Sequence, residues 1–128
     1  MGYSERSAIE RWQEQEASKS RELKSARTYL RRVAKLVASE LPVSDVRVNR
    51  AGPAVSGEVT ARYWRADGSR GVYVMVSADM RDHGILYRQI TSADPFGASM
   101  AHPNLWAGSE SDPSELAGMI LSLARGAR

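Results

Sequence analysis

Residues 21–41, RELKSARTYLRRVAKLVASEL, place apolar side chains at steps of three and four: Leu23, Ala26, Leu30, Val33 and Val37, with Leu41 one turn further. Such a stripe predicts an amphipathic helix lying on a core. Nothing breaks a helix from about Ser4 to Leu41, and Pro42 supplies the stop. Upstream the stripe fails, because Glu16 and Lys19 occupy the positions that should continue it. Residues 1–20 are therefore expected to project, with Ile9 and Trp12 as the apolar groups they offer.

Four runs of alternating character follow. Val46 and Val48 alternate with Asp45 and Arg47, and Val55, Val59, Ala61 and Tyr63 share one parity. Val72, Val74, Val76 and Ala78 share another, while the run ILYRQI is shorter and less regular. Asp67-Gly68 reads as a two-residue hairpin loop whose positions both need positive φ. Counting back from it sets Tyr63 against Val72, Ala61 against Val74 and Val59 against Val76, all on one face. Asp82-His83-Gly84 suits a three-residue loop, which would set Ile90 against Val76 and Leu86 against Met80 on that same apolar face.

The last helix announces itself through Asp112 as N-cap, Pro113 at the first helical position and Glu115 at the third. Leu116, Met119, Ile120 and Leu123 form its expected buried stripe, and Gly126 ends it. The expected class is α+β: a long N-terminal helix, a four-stranded antiparallel meander and a C-terminal helix, in a single domain of residues 1–128. Residues 91–111 show no period yet carry Phe96, Met100, Leu105 and Trp106. A loop so apolar is expected to fold back over the core edge or to present a partner site, with a fifth short strand a further option.

Composition adds constraints. Of 128 residues, 42% are hydrophobic and 26% charged, an ordinary globular balance. Zero cysteines exclude disulfides, thiolate metal sites and a cysteine nucleophile. With no apolar run long enough to span a bilayer and a charged start without signal-peptide character, the expectation is a cytoplasmic protein with no membrane partner. Catalytic motifs are lacking: there is no Gly-x-Ser-x-Gly, no phosphate-binding Gly-x-x-x-x-Gly-Lys and no His-Glu-x-x-His. Asp79, Asp82 and His83, with Asp94 and His102, match no metal spacing and read better as a polar turn. The chain is thus expected to be non-enzymatic, with no catalytic residues, no metal and no cofactor.

Charge is where the sequence is most informative. The net charge is only +3, but Lys19 to Lys35 holds seven basic residues against the single acid Glu22. Residues 5–16 carry four glutamates against two arginines. Arg27, Arg31 and Lys35 form a like-charge ladder at steps of four, with Lys24 three residues before Arg27. Each such pair destabilises a helix by about 0.2–0.5 kcal/mol. Relief must come from Asp45, Glu58 or Asp112 elsewhere in the fold, or from an anionic partner. A second candidate surface is the sheet face away from the core, where the register sends Thr60, Arg62 and Trp64, with Tyr73, Met75, Arg47 and Tyr87.

Arginines among aromatics suit stacked bases or a protein hot spot. Trp64 opposite Gly71 also has a structural explanation, an aromatic covering a cross-strand glycine. The leading expectation is a small binding protein for nucleic acid or a nucleic-acid-processing complex. It would use Lys24, Arg27, Arg31 and Lys35 for phosphate, and Arg62, Trp64 and Tyr73 for stacking. The alternatives are an interaction or inhibitor module of the phage or mobile-element accessory type, docking on an acidic protein surface, and a homodimer through Ile9 and Trp12.

Overall fold

The computed structural model describes residues 2–49, 57–77 and 84–126, and of residues 2–7, Trp12, Gln15 and Glu16 the backbone alone. The elements run α1 (Gly2–Val37), β1 (Val43–Asn49), β2 (Glu58–Trp64), β3 (Arg70–Ser77), β4 (Ile85–Thr91), β5 (Leu105–Ala107) and α2 (Pro113–Gly126). The strands form one antiparallel sheet in sequence order, so the class is α+β with a helix at each end. The fifth strand lies inside the long segment after Thr91.

α1 stops at Val37, one turn before Leu41, because the residue preceding a proline is pushed out of helical geometry. Leu41 keeps its place in the core through its N–H bond to the Val37 carbonyl at 2.8 Å. Both helices cover the same sheet face, where Leu23, Leu30, Val33 and Val37 of α1 meet Val59, Ala61, Tyr63, Val72 and Val74. The Tyr63 hydroxyl, inside this core, donates to the Leu30 carbonyl at 2.7 Å and so satisfies its one polar group. Every described side chain from Ala8 to Ala17 is exposed, so the first half of α1 stands clear of the core.

The β2–β3 register is the expected one: Tyr63 faces Val72, Ala61 faces Val74, and Val59 faces Val76. The turn differs. It is a four-residue loop, closed by the Arg65 N–H to Arg70 carbonyl bond at 2.9 Å, in which only Gly68 has positive φ. Asp67 uses its carboxylate to hold the Ser69 N–H at 3.0 Å instead of turning left-handed itself.

The β3–β4 pairing corrects the expected one. Gly71 faces Ile90 and Met75 faces Leu86, so neither the Val76–Ile90 nor the Met80–Leu86 pair forms. The displacement is odd in residues, and an odd slip turns a strand over. Leu86 and Ile90 therefore lie on the face away from the helices, while Ile85 and Tyr87 face the main core. Tyr87, expected on the open face, pairs instead with Val74. The expected turn at Asp82-His83-Gly84 cannot hold with this register, and Asp79, Met80, Asp82 and His83 lie outside the described residues.

α2 begins as expected, with the Asp112 carboxylate accepting the Glu115 N–H at 3.0 Å. Its buried arc is Leu116, Ala117, Ile120 and Ala124, whereas Met119, expected in it, is exposed and Leu123 is only half-buried. The arc is displaced because α2 packs on α1 as well as on β3 and β4. Arg65 donates to the Ala124 carbonyl at 2.8 Å and Gln89 to the Leu123 carbonyl at 3.2 Å, satisfying carbonyls that a helix end leaves open.

Stability should fall at both ends of the pH scale. Hydrogen bonds from the Ser114 hydroxyl and the Glu115 amide hold Asp112 below the usual carboxylate range, and the Arg62 and Arg47 guanidiniums do the same for Asp45. A carboxylate depressed in the folded state stabilises above its unfolded pKa, and that contribution is lost as pH falls through the folded value. Tyr29 goes the other way: burial and then the Asp112 charge push its hydroxyl up to about 12. Its contribution is complete below the unfolded tyrosine value near 10 and is lost as pH rises towards 12. Denaturant midpoints should hold level from about pH 5 to 9 and drop outside that window. Tyr29→Phe should make the alkaline limb shallower and leave the acid limb alone; an unchanged alkaline limb would contradict this account.

Candidate functional site

The basic ladder lies on one flank of α1. Tyr29 marks the other, because its hydroxyl reaches across to the Ser111 carbonyl at 2.7 Å, just ahead of α2. Residues two positions either side of it, Arg27 and Arg31, lie about 200° around the helix. They therefore point away from α2. Because α1 packs under β1 and β2, that direction is towards the β1 edge of the sheet. Lys24 and Lys35 lie further round towards the solvent side, Lys24 lining a groove with Tyr29 and Pro113, and all four side chains are exposed.

None of the acids that might have relieved the ladder reaches it. Asp45 is held by Arg62 at 2.7 Å and by Arg47 at 3.0 Å. Asp112 is committed to capping α2. Glu58 sits within β2, half-buried. Among the described residues, Lys24, Arg27, Arg31 and Lys35 have no ion-pair partner. Along three turns of helix the ladder thus presents positive charge that no acid among the described residues answers.

The opposite sheet face is organised differently. Tyr73, Leu86 and Ile90 are buried there as a second small core, with Trp64 and Met75 packed against them. Residues 92–104 fold back across this face. Arg88 pins them, donating to the Phe96 carbonyl and, at 3.1 Å, to Asn104 Oδ1. The Arg88 guanidinium covers the Tyr73 ring at 4.5 Å, and the Arg62 guanidinium covers Phe96 at 4.8 Å. Asp94 shapes the loop by accepting the Ala98 and Ser99 amides at 2.8 and 3.0 Å.

Of the sheet residues singled out from sequence, Tyr73 is thus closed over and Arg62 is committed to Asp45 and Phe96. Trp64 lies over Gly71 so closely that a Cβ there would come within 2.8 Å of the indole. The exposed aromatic groups on or over this face are Phe96 and Trp106. They lie on the far side of the sheet from the α1 ladder, so the two surfaces do not form one footprint.

Arg88 was missed. In ILYRQI both parities carry apolar residues, so alternation could not phase the strand or show that Arg88 faces Tyr73. Ile9 is 57% exposed on the projecting half of α1, and the Trp12 side chain lies outside the described residues. His102 is half-buried beside Leu41, Arg65 and Gln89 in a small cleft of about 110 Å³. Among the described residues no three His, Asp or Glu side chains gather as metal ligands. No described helix is long and apolar enough to cross a membrane. No family model, curated protein or solved structure matches this chain.

Proposed function

We propose that the protein binds nucleic acid through its phosphate backbone, along the outer flank of α1. The observation that carries this is the row Lys24, Arg27, Arg31 and Lys35, exposed and without counter-ions among the described residues. Four cations at helical spacing cost helix stability, and a polyanion repays it by releasing its own condensed counter-ions. Phosphate contacts of this kind carry no base information, so binding should depend on charge more than on sequence. Docking of the same row on an acidic protein surface is the second reading, since carboxylates would answer its exposed charge as phosphates do.

The test is fluorescence anisotropy with labelled single- and double-stranded oligonucleotides. Four phosphate contacts should cost roughly 100-fold in affinity between about 50 and 200 mM salt. Arg27→Glu/Arg31→Glu should weaken binding at least tenfold and reduce the salt slope by about 2. No binding at low salt, or a double variant that binds as wild type, would sink the proposal.

A further inference from the structure

Among the described residues, no strand pairs with the outer edge of β1. Among the described residues β1 has one neighbour, β2, with which all seven residues from Val43 to Asn49 are in continuous register. Natural edges are kept from pairing by proline, by bulges, by shortness or by repelling charge. β1 has no proline and no bulge, and it exposes Val43 and Val48 to 50% and 43%. Its two charges, Asp45 and Arg47, are of opposite sign and lie on the same face.

We infer that β1 pairs with β1 of a second copy, antiparallel about a two-fold axis through Val46, joining two sheets into one of ten strands. The register follows from backbone geometry. In an antiparallel pair, residues directly opposite are alike: both exchange hydrogen bonds with the facing strand or neither does. The outward-pointing groups of β1 belong to alternate residues, so only residues of equal parity can stand opposite each other. The axis must therefore pass through a residue.

Through Asp45 it would set that carboxylate against its own copy, and through Arg47 it would do the same to the guanidinium. Through Val46 it sets Asp45 against the Arg47 of the second copy, twice. It also sets Ser44 against Val48, and Val43 against Asn49, so every residue of the strand is used. Opposite charges facing each other across a strand pair are stabilising and like charges are not. Within one copy, Asp45 already holds its own Arg47 at 3.0 Å and Arg62 at 2.7 Å. The second copy continues that row, with positive, negative and positive groups on successive strands.

One force opposes the pairing. The Arg27 and Arg31 flanks of the two α1 helices approach each other beneath the joined edge. Their repulsion is screened beyond about 8 Å at physiological salt, so association is best measured at or above that ionic strength. This inference does not depend on the nucleic-acid reading.

The experiment is analytical ultracentrifugation of the full chain without nucleic acid, across micromolar to millimolar concentrations. Wild type should reach twice the monomer mass of 14.1 kDa. Arg47→Asp should weaken the dimer at least tenfold, because it sets like charges opposite each other. It should still fold, with the wild-type circular dichroism spectrum, since the Arg47 side chain is 65% exposed. The chain has no cysteine, so single thiols report cleanly on the register.

Val46→Cys should form an intermolecular disulfide on mild oxidation. Val48→Cys should not, because its copy lies about 13 Å away at four strand residues' rise. A monomer at every concentration would overturn the inference. So would equal cross-linking through Val48→Cys, or a dimer indifferent to Arg47→Asp but lost in Trp12→Ala.

Discussion

Leu30→Ala should lower the unfolding free energy by about 3–5 kcal/mol, a large fraction of what a domain of this size has to spare. Leu30 has no solvent exposure and stands at the centre of the α1 stripe, with Val33 and Val37 on one side and Leu23 on the other. Its carbonyl also receives the Tyr63 hydroxyl, so the helix is fixed to β2 at this point by both packing and a hydrogen bond. Truncation removes the transfer energy of the isobutyl group and leaves a void that a helix, a sheet and a buried tyrosine cannot collapse into. Urea denaturation followed by circular dichroism measures the loss. Ile9→Ala, on the projecting half, should change stability by less than about 0.5 kcal/mol and serves as the control. Equal effects at the two positions would mean that the apolar stripe does not define what is docked.

The second large effect belongs to Arg88→Ala, expected at about 2–3 kcal/mol from hydrogen bonds to a charged group. One guanidinium ties Phe96, inside the returning segment, and Asn104, at its end, and roofs the Tyr73 ring. Its removal should leave the main core folded and release residues 92–104, seen as faster amide exchange from Asp94 to Asn104. Arg88→Lys is the sharper probe, because a single ammonium cannot reach both acceptors in the fork geometry of a guanidinium. It should recover stability only partly. Full recovery would show that charge alone, without bidentate reach, holds the segment.

The contrast between β2 and β4 shows what the sequence could and could not convey. β2 and β3 alternate cleanly, with valines, Ala61 and Tyr63 on one parity, so a correct register followed even though the turn geometry did not. β4 carries Ile85, Leu86, Tyr87 and Ile90 on both parities because it is packed on both faces. No alternation exists to read in such a strand, and a turn placed at the wrong register then inverted it. The second core was hidden for the same reason: it needs the far face and residues 92–104 together, a contact distant in sequence. The basic ladder was fully legible, since helical spacing alone brings Lys24, Arg27, Arg31 and Lys35 into line. Its orientation was not, because the Tyr29–Ser111 bond that fixes which way α1 is rolled joins residues far apart in the chain.

Because α1 is docked over one half only, it is also a lever. Gly2 lies about 30 Å along the helix axis from Leu23, where the buried stripe begins. A tilt of roughly 10° at the docked half would therefore swing the tip by about 5 Å. Void-forming changes at Leu23 or Leu30 that shift the fulcrum by fractions of an ångström should be magnified at the free end. A spin label on Ile9 would read that displacement against a second label on the sheet.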